Sequence, residues 1–364
     1  MRVLHAFTVA VTRNGITMFA LQRLEGLRKA GVEVDLLSPT AVEPGLRREI
    51  EHLGARLFVI QKRRLSLAYV RALAALVRRE RYDIVHAHGS SSSLFFEMLG
   101  AGLGGCRARV AHSHNTTCGD LRRDRLLRPL FYRSYTAAAA CGRDAGKWLF
   151  GGRPFTVLPN GVDLARFQFD AERRAAARAR LGIAENALVL GHVGRFNRQK
   201  NHGFLLEVFA ALLQKRPDAR LMLVGDGYQE EEVRRLAAPL GARVIFTGSV
   251  PDPETYLCAM DVMALPSLFE GFPTVLLEWQ CAGLPVLVSS RVTDEAALTP
   301  LLQYLPLEAG AEAWAGALLA LPRRERAQAS RAAAAMLKAG GYALEDAAAL
   351  LARFYQSLSP GRRK

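Results

Sequence analysis

The chain has 364 residues, half of them apolar and 23% charged, which is the composition of a soluble globular protein long enough for two domains of ordinary size. No run of about 18 apolar residues occurs, so no membrane-spanning helix is predicted. Five scattered cysteines without a C-x-x-C argue against a disulfide framework or a zinc finger and for a reducing cytosol. The net charge of +15 is unevenly placed. Residues 1–160 hold 25 basic and 12 acidic side chains, whereas the remainder stands at +2. A basic first half implies an anionic partner, either a membrane surface or an anionic acceptor. No helix-turn-helix, RNP-like or zinc-finger signature supports nucleic acid.

In chain order, Met1 to Leu21 is apolar but broken by His5, Thr8, Arg13 and Asn14, and reads as a first strand and loop rather than a signal peptide. The strand is Arg2 to Ala10. A loop Thr12 to Ile16 follows, where Gly15 permits close backbone approach to a ligand. A helix Thr17 to Ala30 ends at Gly31, and strand Val32 to Ser38 follows. Further strands are expected at Arg56 to Ile60, Asp83 to Ala87, Arg109 to Ser113 and Thr136 to Cys141. Helices are expected near Arg47 to Leu53 and at Ser66 to Glu80, Leu94 to Leu103, Arg122 to Tyr135 and Arg143 to Leu149. Strict alternation of this kind predicts parallel strands with helical crossovers. Pro159-Asn160-Gly161-Val162-Asp163 reads as the linker, giving domains 1–160 and 161–364, with the final helix able to return to the first. After helix Asp170 to Leu181 a second series begins. Its strands are Leu188 to Val193, Arg220 to Val224, Arg243 to Phe246 and Val262 to Leu265. Its helices are His202 to Lys215, Glu230 to Leu240 and Pro253 to Ala259. The tail, Ala311 to Leu358, is helical with a kink at Gly340-Gly341.

The second series centres on Ser267 to Ser289. A loop carries Glu270, Pro273 takes the first helical position, Thr274 to Ala282 is an apolar helix holding Glu278, and Leu284 to Ser289 is a buried strand. A carboxylate in so apolar a helix needs a partner. Free N–H groups at a helix start bind phosphate, and a flanking carboxylate binds sugar hydroxyls. Arg195 and Lys200 share one loop after strand Leu188 to Val193, and with the Phe272 to Val275 helix start they form a diphosphate clamp. Gly225-Asp226-Gly227 reads as a turn, and Phe246-Thr247-Gly248-Ser249 could present backbone groups to a base. In the first half His86, His88, His112 and His114 form two H-x-H pairs at strand ends. That spacing makes a metal site conceivable, but with no acidic or Cys ligand the preferred reading makes one His of each pair structural and one a lining residue.

The runs G-R-F-N-R-Q-K-N-H, L-V-G-D-G, F-x-G and A-M-D-V-M-A-L-P-S-L-F-E-G-F-P-T-V-L-L-E-W-Q-C-A-G-L-P resemble the nucleotide-binding half of retaining glycosyltransferases of family 4. Glu270 and Glu278 match that family's E-x7-E motif. A-H-S-H-N, A-C-G-R-D-A-G-K-W-L-F-G and L-P-N-G-V-D resemble its branch that builds bacterial capsular and extracellular polysaccharides. The resemblance implies the α/β GT-B fold, two Rossmann-like, doubly wound parallel-sheet domains facing a cleft. It implies transfer of a hexosyl unit from a nucleotide diphospho-sugar, expected to be a UDP-sugar, to a glycan or lipid-linked acceptor. No metal or other cofactor is expected, and the place is the cytoplasm, peripheral to the inner membrane face. By the same resemblance Arg195 and Lys200 hold the diphosphate, and Glu270 meets the donor sugar beside the backbone of Gly271, Phe272 and Pro273. Thr274 and Val275 cap the phosphates, Glu278 binds the ribose, His114 reaches the transferred sugar and Gly15 lies near the phosphates. The first loop lacks the double Gly many members carry, and Trp279 replaces a small residue, which would reshape the back of the pocket. A sugar-nucleotide 2-epimerase of the same fold and a non-catalytic nucleotide-sugar-binding subunit are the alternatives.

Overall fold

The computed structural model describes residues 1–62 and 67–358. It divides into two compact units, Met1–Gly161 with Leu344–Lys364, and Val162–Ala343.

In the first unit the strands are β1 (Arg2–Phe7), β2 (Glu33–Ser38), β3 (Leu57–Val59), β4 (Ile84–Gly89), β5 (Ala108–Ser113), β6 (Ala137–Ala140) and β7 (Thr156–Val157). They form one parallel sheet in the order β3-β2-β1-β4-β5-β6-β7. Strands buried on both faces read as continuous apolar runs, as β1 does, because crossover helices cover each side. Leu27, Leu36 and Leu351 belong to one core layer, and Leu73, Met98 and Phe150 to the other. Leu351 comes from the last helix, Leu344–Leu358.

The second unit repeats the plan with β8 (Val189–Val193), β9 (Arg220–Val224), β10 (Val244–Gly248), β11 (Val262–Leu265), β12 (Val286–Ser289) and β13 (Leu302–Leu305), in the order β10-β9-β8-β11-β12-β13. Each sheet reverses its strand order beside its first strand, between β1 and β4 and between β8 and β11. Ligands of open α/β sheets bind at the carboxyl ends of such strand pairs.

Several local expectations are corrected. The first helix begins at Gly15, because the Asn14 side chain accepts the Thr17 N–H, so Gly15 lies in a helical turn rather than in the loop. A Cβ there would meet open space. That helix stops at Leu21 and a second runs Leu24–Lys29. Between them Arg23 turns inward and donates to the carbonyls of Phe19 at 2.7 Å and Pro159 at 2.8 Å. Ser66, the expected start of the next crossover helix, lies outside the described residues; the helix is described as Leu67–Glu80. Pro273 is the N-cap of helix Thr274–Cys281, not its first residue. The tail forms three helices, Gly310–Ala320, Arg326–Ala339 and Leu344–Leu358.

The helix expected at Arg122 to Tyr135 runs Leu121–Phe131. Leu127 and Phe131, four apart, are buried, while Leu121, Leu126 and Leu130 are exposed, Leu126 at 77%. Arg128 is spoken for, donating to Asp124 at 2.7 Å and to the Trp148 carbonyl at 3.0 Å. No helix among the described residues is long and apolar enough to cross a membrane.

Candidate active site

The loops after β8 and β11 meet at the strand-order reversal of the second unit. Asn197 accepts the Lys200 N–H at 3.1 Å and so closes a single 3-10 turn, Arg198–Lys200. Asn201 then takes a left-handed conformation, φ 55°, which its short polar side chain tolerates. The Leu268 N–H donates to the Gln199 carbonyl at 2.8 Å and joins the two loops. The Lys200 ammonium consequently sits 2.8 Å from Glu270 Oε1. Ser267 Oγ donates to the same oxygen at 2.9 Å, and Gln199 Nε2 donates to Oε2 at 2.6 Å. Glu270 is only 7% exposed. Its charge is balanced by a cation and satisfied by two further donors, the arrangement burial of a carboxylate demands. Arg195, expected alongside Lys200, is exposed and makes no hydrogen bond or ion pair among the described residues.

The Gly225–Gly227 turn packs directly on this loop. Both glycines have left-handed φ, 134° and 155°, and a Cβ on either would run into a backbone carbonyl, of Gly194 or Phe196 respectively. The Phe196 N–H donates to the Asp226 carbonyl at 2.6 Å. The turn is therefore the floor that shapes the Arg195 loop. The Gly248 carbonyl accepts from Gly225 N–H and Thr247 Oγ1, each at 2.9 Å, so both lone pairs of that one carbonyl are used.

Helix Thr274–Cys281 starts without a side-chain cap, and Thr274 and Val275 are half-buried at its mouth. An uncapped, positively polarised helix start is suited to a phosphate. Gly271 and Pro273 are buried, as is Phe272, whose ring stacks on Tyr342 with centroids 5.9 Å apart. The side chain of Glu278, half-buried in this helix, makes no hydrogen bond or ion pair among the described residues. Desolvation pushes its carboxyl up to about 7 against the opposing charges of Arg166 and Lys200, with Glu254 adding to the rise. Arg166, whose charge acts on it, is itself ion-paired with Glu254 at 2.9 Å. Sequence reasoning missed Arg166 and Glu254; no spacing connects either with the motif. Trp279 is fully buried with its ring centroid 6.0 Å from that of His192.

In the first unit the two H-x-H pairs do converge, joined by His5 and by Tyr355 from the last helix. Both rings of each pair share a strand face, and register sets His86 beside His5 and His88 beside His112. Ring nitrogens within 4.8 Å of one another could hold a metal in two sets, His5/His86/His88 and His88/His112/His114. The nitrogens pair off, however, in contacts of 2.6 to 2.9 Å rather than facing one point. His5, His86, His88 and His112 are fully buried and His114 half-buried, so the expected division of one structural and one lining His per pair fails for the first pair. Burial holds all five imidazoles neutral, His5 and His114 at about 3, with the nearby Arg23 charge adding to the effect on both.

Residues 13–166 match a family model described as Glycosyltransferase Family 4, and residues 187–322 match one described as Glycosyl transferases group 1. The protein called glycosyltransferase EpsF in Bacillus subtilis is 34% identical over 89% of this chain and 90% of its own length. An Escherichia coli protein named UDP-Gal:alpha-D-GlcNAc-diphosphoundecaprenol alpha-1,3-galactosyltransferase is 26% identical over 76% of each chain. Among solved structures, Anabaena HepE in complex with UDP-glucose superposes with a TM-score of 0.80 at 20% identity, covering 98% of this chain and 100% of its own.

Proposed function

We propose, because the chain belongs to glycosyltransferase family 4 and has its two-domain GT-B fold, that it moves a hexosyl unit from a UDP-sugar, with retention, to a glycan or lipid-linked acceptor in bacterial polysaccharide synthesis. The observation that carries this reading is the Lys200–Glu270 pair at the β8/β11 reversal, beside an uncapped helix start. Lys200 has two further N–H groups beyond the one on Glu270, and with Arg195 it holds the diphosphate. Thr274 and Val275 receive the phosphates from the helix start, and the Glu270 carboxylate, with the backbone of Gly271, Phe272 and Pro273, meets the donor sugar. Glu278 accepts from the ribose hydroxyls. From the first unit, the resemblance assigns His114 to the transferred sugar and Gly15 to the phosphates.

The chemistry asks for little covalent help. As the bond from the sugar C1 to the diphosphate oxygen breaks, negative charge grows on the diphosphate, and fixed cations and the helix dipole stabilise it. The acceptor oxygen bonds to C1 on the face the diphosphate leaves, and its proton passes to the leaving phosphate oxygen. Protein cations supply the positive charge, so no metal is required. The name of the Escherichia coli relative supports a UDP-sugar donor and a lipid diphosphate acceptor, and the fold neighbour that holds UDP-glucose supports the donor. Such an acceptor grows at the cytoplasmic membrane face. Exposed Leu121, Leu126 and Leu130 beside exposed Arg122 and Arg125 are the surface proposed to dock there.

A panel of sugar nucleotides tests the reading. A donor at about a hundred times its dissociation constant adds roughly 2.7 kcal/mol of stability, and the one that does so is then assayed for UDP release with and without acceptor. Stabilisation without any turnover would identify a binding subunit instead.

A further inference from the structure

Lys200 and Glu270 lie beyond the carboxyl ends of β8 and β11. At the opposite, amino ends of the second unit's strands there is a cavity of about 270 Å³. Asp261 and Pro285, which precede β11 and β12, line it together with Arg174, Arg323, Arg324 and Arg326. Four guanidinium groups and one carboxylate around so small a space leave an excess of positive charge, and the pairing shows where it sits.

Arg174, on helix Ala171–Arg180, is neutralised by Asp261 at 2.8 Å and Glu185 at 3.2 Å. Asp261 is fully engaged, since Arg178 reaches it at 3.3 Å and the Val189 N–H donates to it at 2.8 Å. Arg326 is half-buried and has no carboxylate partner among the described residues. It gives three of its five N–H groups to carbonyls, those of Ala282, of Met260 at 2.8 Å and of Leu257 at 3.0 Å. Its guanidinium also lies 4.9 Å from the centre of the Phe169 ring. These contacts hold the group in place but bring no counter-ion. Burial pushes it down to about 10, and the Arg174 charge adds to the fall against Cys258 and Asp261. Arg323 and Arg324 are exposed and make no hydrogen bond or ion pair among the described residues. Glu325 stands next to them but is turned to the start of helix Arg326–Ala339, accepting the Ala327 and Gln328 N–H at 2.9 and 2.6 Å. A cation drawn partly out of water without a counter-charge is costly, so the cavity favours an anion.

Size and charge narrow the class of ligand. The volume is that of roughly nine water molecules at about 30 Å³ each, below the roughly 300–1,000 Å³ of sites for drug-sized ligands, which excludes a nucleotide sugar. Arg323, Arg324 and Arg326, set against Glu325, leave about two positive charges, and a phosphoryl group carries about −1.5 to −2 near pH 7 where a carboxylate carries one. Its oxygens diverge, so donors from three separate side chains can each find one, and guanidinium forks match them.

We infer that this cavity is a second anion site, apart from the donor loops, that takes a small phosphoryl anion such as inorganic phosphate or diphosphate between Arg323, Arg324 and the two remaining N–H groups of Arg326. The bound anion fastens the connection between helices Gly310–Ala320 and Arg326–Ala339 to the strand starts, so occupancy stabilises the second unit. The site stands whether or not the chain is a transferase.

The test uses the full chain in phosphate-free, low-salt buffer, titrated calorimetrically with inorganic phosphate and with diphosphate, and with sodium chloride at matched ionic strength as control. Saturable binding of the phosphoryl anions is expected in the wild type and again in Lys200→Ala, whose donor loop has lost its cation; Arg195→Ala serves if that variant does not fold. In the Arg323→Gln/Arg324→Gln double variant the affinity should fall about tenfold or more, two charge-assisted contacts being lost. Each single variant should show a smaller loss, and these serve if the double variant does not fold. Scanning calorimetry should show the second-unit transition rising with phosphate in the wild type and not in the double variant. Heats no greater than those of chloride, affinity unchanged when Arg323 and Arg324 are replaced, or binding lost in the donor-loop variants, which would put the anion at Lys200 instead, overturns the inference.

Discussion

Glu278→Gln should make the ligand-free chain more stable and the nucleotide complex weaker, and the pH dependence tells why. The carboxyl is held at about 7 against an ordinary 4.5, first by desolvation. Glutamine mimics the neutral acid. Each pKa unit is worth about 1.4 kcal/mol, so the ionised carboxylate costs the folded state an upper bound of about 3 kcal/mol at pH 8. Because the side chain keeps partial contact with water, about 2 kcal/mol is expected. The sign follows from the raised folded-state value. The group's contribution is fully present below about pH 4.5 and is lost as pH rises through about 7. Scanning calorimetry at pH 4.5, 6 and 8 should therefore show no difference between the two proteins at the lowest pH. At pH 8 the variant's second-unit transition should lie roughly 4–8 °C above wild type. Calorimetric titration with UDP should show weaker binding by the variant, and wild-type affinity should rise with pH through about 7 as the carboxylate forms. A stability gain equal at all three pH values, or UDP affinity unchanged in the variant, would refute the assignment of Glu278 as a strained, nucleotide-binding carboxylate.

Lys200→Ala should lower turnover by about 2–4 kcal/mol of transition-state stabilisation and also destabilise the ligand-free chain, because Glu270 loses its cation. Arg195→Ala should lower turnover without that stability loss, since Arg195 has no partner to abandon among the described residues; equal melting losses in the two variants would contradict this. Activity should persist in EDTA, and its loss with rescue by a divalent ion would assign the histidine cluster to a metal after all. Co-sedimentation with liposomes should rise with anionic lipid, fall with salt, and fall again when Leu126 and Leu130 become Ser or Arg122 and Arg125 become Gln; binding indifferent to all four leaves the basic surface to a soluble acceptor.

The βα order of both units is legible because each βα pair is a local pattern: an apolar run of strand length, a turn, then a helical period. The motif loops are legible for the same reason, being strand ends that run straight into helices. What joins them is not. Lys200 and Glu270 are 70 residues apart, and no periodicity indicates that the ammonium rests on the carboxylate. Tyr355 lies 350 residues beyond His5 in an otherwise ordinary Ala- and Leu-rich helix, and only packing selects its hydroxyl as the link. Arg23 lies inside what reads as one long helix, Thr17 to Ala30, yet its inward turn coincides with the break between two. β13 escapes notice because L-Q-Y-L is a short edge strand with no β-branched residue, recognisable only by its pairing to β12.

The assignment of helix Leu344–Leu358 to the first unit has a consequence for how the chain is made. A ribosome releases the first 161 residues early, but the helix that brings Tyr355 to His5 and His86 comes only after the whole of Val162–Ala343. At about 5–20 residues per second the intervening unit takes on the order of 10–40 s to emerge. For that interval the rings of His5 and His86 lack their shared hydroxyl, and the core layer around Leu27 and Leu36 lacks Leu351. The unit begun first is thus finished last, and the nascent polypeptide carries an apolar groove that its own distal segment, or a chaperone in the meantime, must cover.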